Sequence, residues 1–296
     1  VSEVLKEVAV DPGRLQSPSS ILTYKQCPRK YFYRYIAKLP VSKSIHLVRG
    51  SIAHKVLEDV YALDLAHIPD ETFLITMRFI LQEMFRKQWE ASKEELAELG
   101  MDPIDLQTYY DETRIMINNF FHYLAERMQQ IPGVTPKEAF RLVTPDREVE
   151  LHSKMHHVRG YADAIQREGD KLIIIDYKTS KKLEITDDYR LQLGIYCMIY
   201  EEMERAPDEV GVFFLKHGRE LRVPVTRDMI DHARKEVAAI HLNTKSKDIK
   251  DYPKKTSALC KWSSGQCEFY ETCFSKTLDQ YDEAPAPLVR MGRKSF

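Results

Sequence analysis

Three features of the sequence predict an α/β fold built on a mixed sheet: successive apolar strand patterns between residues 148 and 179, helical periodicity on either side of them, and a further strand pair beyond the next helix. Helices, a strand cluster, a helix and strands again is the order expected of a sheet with helices packed on its faces. The 296 residues, 43% apolar and 30% charged, suffice for one large domain and are too apolar for a disordered chain. Lys and Arg number 44 against 45 Asp and Glu, a formal charge of -1. No chain-wide basic field therefore marks a polyanionic partner, although local patches can still hold phosphates. No apolar run reaches the ~18 residues of a membrane span. Residues 1–7 lack the apolar core of a secretory leader, so the expectation is an intracellular, cytoplasmic protein with no membrane partner. No GxxxxGK[ST] occurs, so this polypeptide carries no P-loop ATPase.

Four segments follow from the chain's texture. In residues 1–64 a polar arm with Pro12, Gly13 and Pro18 leads to a helix capped by Ser19 or Ser20 and running to Cys27. Pro28 interrupts it, and residues 29–36 interleave aromatic and basic side chains. A second helix starts near Gly50 and carries Ile52, Val56, Leu57 and Val60 on one face. Residues 65–135 read as a charge-rich helical insertion, with Ile80, Leu81, Met84, Phe85 and then Met116, Phe120, Phe121, Leu124 at helical spacing and no evident chemistry. Residues 136–245 hold strands at 148–152, 158–166 and 171–179, a helix at 187–203, a hairpin around His217-Gly218 and a helix at 227–242. Residues 246–296 form a Lys-, Pro- and Ser-rich loop with three cysteines and a tail. All four segments are read as one integrated domain, and the sequence shows no internal repeat.

The segment from Gly160 to Lys178 is the most informative. Gly169-Asp170 suits a two-residue hairpin loop, which pairs Glu168 with Lys171 and brings Asp163 opposite Asp176, Cβ atoms ~5 Å apart. Two bare carboxylates there repel, and a divalent cation between them removes that penalty. Alternation puts Lys178 on the Asp176 face and turns the Tyr177 side chain away, leaving its backbone carbonyl within reach of a metal. Hard oxygen ligands suit Mg²⁺ or Mn²⁺ rather than zinc. Such an ion binds a phosphodiester and lowers the pKa of a bound water, while Lys178 orients or activates the water and shares developing charge. The competing reading is a surface ion triplet on an exposed hairpin. Two i,i+4 pairs weigh against it: His54 with Glu58, a nitrogen ligand and a carboxylate on one helix face, and Gln192 with Tyr196 on the helix after the strand.

In this order the residues resemble the PD-(D/E)XK nuclease superfamily, most closely its RecB-like branch: Gly50-x₃-His54-x₃-Glu58, Gly160-x₂-Asp163, Asp176-x-Lys178 and Gln192-x₃-Tyr196. The resemblance implies a restriction-endonuclease-like mixed sheet flanked by helices. It also implies metal ligation by His54, Asp163 and Asp176, catalysis by Lys178 and substrate-facing roles for Gln192 and Tyr196. Ala162 stands where the superfamily's name has proline.

Five cysteines in an intracellular chain argue against a disulfide framework. Cys260, Cys267 and Cys273 lie in polar sequence at spacings that fit zinc poorly, and Cys27, followed by proline, is the natural fourth member of a set able to hold an iron–sulphur cluster. Cys197, inside an apolar helix, is a core thiol. The Ser19-Ser20…Cys27-Pro pattern with three C-terminal cysteines is similar to the iron–sulphur nucleases of the same branch, the AddB nuclease domain and the CRISPR-adaptation nuclease types. There a [4Fe-4S] cluster staples the first and last segments. Lys25, Arg29, Lys30 and Arg34 among Tyr24, Tyr31, Phe32 and Tyr33 either grip phosphates and stack unpaired bases or form an ordinary amphipathic helix. Arg290 to Lys294 is a weaker basic patch. The resulting expectation is an Mg²⁺- or Mn²⁺-dependent DNA exonuclease preferring single strands or DNA ends. Its place would be in DNA repair, recombination or CRISPR adaptation, beside a separate helicase or CRISPR integration proteins. The rivals are a non-catalytic iron–sulphur DNA-binding or recruitment subunit on the same fold and a redox-responsive regulator.

Overall fold

The structure, a computed structural model, describes residues 13–41, 43–262 and 265–274; the basic run 290–294 and the start of the N-terminal arm lie outside them. Two compact units result. One has as its described parts residues 13–41, 154–158, 235–262 and 265–274; the other comprises 43–153 and 159–234.

The larger unit is built on a five-stranded sheet in the order β1 (Asp146–Ser153), β2 (Val158–Glu168), β3 (Lys171–Lys178), β4 (Glu209–Phe214), β5 (Arg219–Pro224). β2 and β3 are antiparallel, β3 and β4 parallel, β4 and β5 antiparallel, so the sheet is mixed. The hairpin register is the expected one: Glu168 faces Lys171 and the pairing runs to Ala164 opposite Ile175, with Gly169 at φ 59 making the turn. β3 reads as a continuous Leu-Ile-Ile-Ile run because both of its faces are covered.

One face carries the helices α3 (Ile45–Asp59), α4 (Phe73–Ala91), α5 (Lys93–Ala97), α6 (Pro103–Gln129) and α7 (Pro136–Val143), numbered after α1 (Pro18–Gln26) and α2 (Pro28–Tyr31) of the smaller unit. Their buried stripes recur every four residues: Phe73, Met77, Leu81 and Phe85 on α4, and Met116, Phe120, Leu124 and Met128 on α6. These side chains share one core with Ile173, Ile175, Tyr177 and Phe213 of the sheet, and Phe120 packs edge-on against both Tyr177 and Phe213. At roughly 1.5–3 kcal/mol per fully buried large apolar side chain, the contribution is too large for an appendage. The 65–135 stretch is the covering layer of that face. α3 begins five residues before the expected start, because Ser44 accepts the Leu47 N–H and caps it. α7, which the strand-rich texture did not announce, is closed by a capping box between Thr135 and Glu138.

On the opposite face lies α8 (Asp187–Met203), capped by Thr186. Gly194 permits its close approach to α9 (Arg227–Asn243), where an added Cβ would stand 3.2 Å from Met229. In the smaller unit, α1 is capped by Ser17, not Ser19 or Ser20. Pro18 occupies the first turn, and Ser20 returns the capping bond to the Ser17 N–H. The helix stops at Cys27, whose extended backbone restarts as α2 at Pro28 and passes into a π-helical turn over Phe32–Ile36. The C-terminal stretch adds the short hairpin β6 (Lys261–Trp262) and β7 (Gly265–Gln266) and a last turn, α10 (Tyr270–Phe274).

Candidate active site

The site is assembled where the β2–β3 pairing ends. Beyond Ala164–Ile175 the Asp163 carboxylate takes over the role of a backbone acceptor: its Oδ2 receives the Tyr177 N–H at 2.6 Å, and its Oδ1 lies 3.2 Å from His54 Nδ1 on α3. Asp176, 3% exposed, faces α8, where Gln192 Nε2 donates to its Oδ1 at 2.8 Å and also to the Tyr196 hydroxyl at 2.8 Å. The Lys178 ammonium stands 2.6 Å from Asp176 Oδ2 and 5.4 Å from the centre of the Tyr189 ring. That contact is an ion pair without hydrogen-bond alignment, so Oδ2 remains a buried oxygen with no aligned donor.

The charges follow from burial set against partners. Burial opposes ionisation of Asp163, but the His54 charge and hydrogen bond, the Tyr177 N–H and Lys178 outweigh it and hold the carboxyl below its ordinary value. Burial likewise opposes a charged His54, yet Asp163 and Asp176 raise its pKa. Asp176 is the other way round: burial, with the Asp163 charge adding to it, wins over Lys178 and raises its pKa. Burial works against the Lys178 ammonium, but Asp176 raises it, so this lysine is a cation at neutral pH.

A cation-sized group of ligand atoms exists here. His54, Asp163 and Glu148 each present one atom within 4.8 Å of the others, the only such group of three or more among the described residues. Glu148 was not anticipated. Its neighbour Asp163 comes from a different strand, and it adopts φ 45 inside β1, a left-handed conformation that costs a non-glycine residue about 1–3 kcal/mol. Burial and the nearby Asp163 charge raise its pKa against the opposing His54 charge. Glu148→Gln should therefore raise the melting temperature of the metal-free protein slightly and diminish the extra stabilisation given by Mn²⁺. Thermal melts with and without Mn²⁺ check both signs.

Other residues are differently placed than expected. Glu58 pairs with Lys55 at 3.1 Å and is absent from the group around His54, because its carboxylate lies along the helix toward solvent. Gln192 and Tyr196 do not present themselves to an open substrate face. Gln192 holds Asp176, and Tyr196 is only 5% exposed with its hydroxyl on Gln192. In the smaller unit Arg29 is 2% exposed and its Nε donates to the Tyr252 carbonyl at 2.7 Å. Lys30 and Arg34 both pair with Glu268, and Tyr31 stacks on Tyr252. Arg29 and Lys30 thus tie the first segment to the last, where the sequence left open a phosphate grip or an amphipathic helix with solvated charges.

The same unit gathers Cys27, Cys260, Cys267 and Cys273 around one cavity with Tyr33 and Phe269. The β6–β7 hairpin aligns Cys267 with Cys260, whose carbonyl accepts the Cys267 N–H at 2.9 Å. None of the four is in a disulfide, and burial pushes Cys273 up to about 11. Cys197 is fully buried in α8, pushed up to about 12 by burial, as an inert core thiol should be.

A mixed sheet whose central hairpin ends in two carboxylates and a lysine, one carboxylate against a histidine of the covering helix, is an arrangement suited to phosphodiester cleavage. Residues 16–274 match the sequence pattern of the PD-(D/E)XK nuclease superfamily, and the chain belongs to that family. Membership makes nucleic acid the expected substrate. A crystal structure from Eubacterium rectale, of a protein described as a candidate exonuclease, is similar at a TM-score of 0.44 and 10% identity, covering 82% of this chain and 86% of that one. No curated protein matches the chain. No helix among the described residues is long and apolar enough to cross a membrane.

Proposed function

We propose that this nuclease is an Mg²⁺- or Mn²⁺-dependent deoxyribonuclease of the RecB-like branch, acting on DNA ends or single strands and carrying a [4Fe-4S] cluster. We read residues 1–64, 65–135, 136–245 and 246–296 as parts of one nuclease domain. The observation that carries the reading is the meeting of His54, Asp163, Asp176 and Lys178 at the end of one hairpin. His54, Asp163 and Glu148 are the groups that would hold a divalent ion, and the undonated Oδ2 of Asp176 and the Tyr177 carbonyl are the further ligands we assign to it. Bound there, the ion would polarise a phosphodiester and acidify a water. Lys178, held protonated by Asp176, is unsuited to accept a proton at neutral pH. Its part is to place positive charge where the phosphate becomes more negative. Gln192 fixes the Asp176 carboxylate in one rotamer. The products would be a 3′-hydroxyl and a 5′-phosphate.

A cluster is favoured over a single zinc by the chemistry and placement of the thiols. A tetrahedral zinc needs all its sulphurs about 2.3 Å from one point. The four cysteines surround a cavity but do not form a group that close, and a polynuclear centre spans such a gap. The rival reading, a non-catalytic recruitment subunit, is disfavoured by the intact Asp163, Asp176 and Lys178.

Metal binding must expel the His54 proton. Because His54 is held charged above the ordinary imidazole value of about 6.5, Mn²⁺ affinity should rise as pH increases through and above that value, with proton release on binding. In the metal-free protein the sign is reversed. Above the ordinary carboxylate range the His54–Asp163 pair contributes its stability fully up to about 6.5 and loses it as pH rises through the raised folded-state value of His54. Calorimetric Mn²⁺ titration in two buffers of different ionisation enthalpy reads the proton count, and a pH-independent affinity would remove His54 from the ligand set. End-labelled linear and circular single-stranded DNA distinguish the mode of action: stepwise loss of the linear strand with the circle untouched is expected, and cutting of the circle would replace an exonuclease with an endonuclease.

A further inference from the structure

β2 and β3 run antiparallel, so the beginning of β2 and the end of β3 leave the paired carboxylates at the same end of the sheet. Past Ala164–Ile175 each continues beside a different neighbour, β2 beside β1 and β3 beside β4. On β2, burial alternates so that Arg159 and Tyr161 share the face of Asp163. Tyr161 is 47% exposed and makes no ring contact among the described residues, an unusual state for an aromatic in mid-strand. Arg159 is exposed and has no carboxylate partner among them.

On the other side, the chain leaving Lys178 carries Lys181 and Lys182, both exposed and both without an ion pair among the described residues. Their loop is held from behind. His217 Nε2 donates to the Lys181 carbonyl at 3.0 Å, and Asn119 of α6 donates to the Leu215 and Lys216 carbonyls at 2.9 and 3.2 Å. Lys216 and the buried Arg49 both pair with Glu112, while Lys181 and Lys182 make no ion pair among the described residues.

We propose that this open end of the β2–β3 pair is a track for one unpaired nucleic-acid strand, with Tyr161 stacking on a base and Arg159, Lys181 and Lys182 holding the flanking phosphates. The proposal rests on the nuclease reading and adds to it the element that selects an unpaired substrate. Tyr161 lies two residues from Asp163, about 6.6–6.8 Å along the strand, so a stacked base would adjoin the phosphate at the carboxylates. The faces of bases in a duplex are covered by their neighbours, and only an unpaired base can offer one to an aromatic ring.

The test uses the full chain in EDTA, so that no strand is cut, and reads fluorescence anisotropy of a labelled oligothymidylate across a salt series. Tyr161→Ala should weaken binding about 5- to 100-fold, the loss of one base stack, at an unchanged salt slope. Tyr161→Phe should bind as the parent does. Lys181→Ala combined with Lys182→Ala should flatten the slope of log affinity against log salt by about 1.4, two phosphate contacts at about 0.7 each on a single strand. Parent-like binding by Tyr161→Ala, or an unchanged slope for the lysine pair, would overturn the track. Hydrolysis of bis(4-nitrophenyl) phosphate with Mn²⁺ keeps the two readings apart, because this small diester needs the carboxylates and not the track. All these variants should hydrolyse it at the parental rate. A parent that hydrolyses the diester but binds oligonucleotide regardless of these residues loses the track alone. One that binds through Tyr161 yet never hydrolyses the diester keeps the track and loses the nuclease assignment.

Discussion

Lys178→Ala and Asp176→Asn are each expected to lower Mn²⁺-supported DNA cleavage by at least about 10²–10³-fold, the usual consequence of removing one preorganised charge from a transition state. The two variants should differ in stability. Asp176 is 3% exposed and Lys178 is the cation that faces it, so Lys178→Ala leaves a buried carboxylate without that counter-charge, a change that costs about 3–5 kcal/mol when the charge persists. Burial already raises the Asp176 pKa, and proton uptake will cap the loss below that range. Asp176→Asn keeps a carbonyl for the Gln192 amide, and should fold at near-parental stability while still losing cleavage. Urea unfolding and a cleavage assay on the same samples separate the two effects. Full activity in both variants would mean that phosphodiester hydrolysis, if present, occurs elsewhere.

The second large effect concerns the thiols. Losing Cys27, Cys260, Cys267 or Cys273 should turn a brown protein colourless, remove about four iron atoms per chain and lower stability. The structure limits how much. Tyr252 is fully buried against Tyr31, Arg29 holds its carbonyl, and Glu268 pairs with Lys30 and Arg34, so the C-terminal stretch has anchors besides the thiols. The loss should resemble that of a structural disulfide, about 2–5 kcal/mol, or a fall in Tm of about 5–15 °C. Cys197→Ala should leave iron unchanged and cost only a small cavity. Iron analysis and thermal melts check this, and a parent that is colourless with one zinc would remove the cluster while leaving the hydrolytic site as it is.

Much of the candidate site was legible because its signal is local. Gly169-Asp170 fixes the hairpin turn, the β-branched run of β3 fixes a strand covered on both sides, and the period of two then places Asp176 and Lys178 on one face. His54 was singled out by the resemblance to the nuclease motif, since its helical spacing with Glu58 points to a residue that does not join the group. What escaped depends on contacts between distant elements. Glu148 joins the group only because β1 lies beside β2 and its backbone takes a left-handed turn, neither of which leaves a mark in the pattern of the strand. Gln192 was expected to face substrate since its i,i+4 spacing with Tyr196 says which helix face it occupies and nothing of what lies opposite, which proved to be Asp176. Arg29 reads as a surface cation until Tyr252, more than two hundred residues later, supplies the carbonyl that buries it. The insertion from 65 to 135 carried no motif, yet without Phe120 and its neighbours the Tyr177 face of the sheet would have no cover.

The central claim is that His54, Asp163, Asp176 and Lys178 form one metal-dependent phosphodiesterase site. The most direct measurement is cleavage of a 5′-labelled single-stranded oligonucleotide by the parent chain with Mn²⁺, with EDTA and with Mn²⁺ restored in excess, beside Asp163→Asn throughout. Cleavage that stops with EDTA, returns with Mn²⁺ and is absent from Asp163→Asn, the products bearing 3′-hydroxyls, is the predicted result. Cleavage by Asp163→Asn at the parental rate, or none by the parent with any divalent cation, would contradict it.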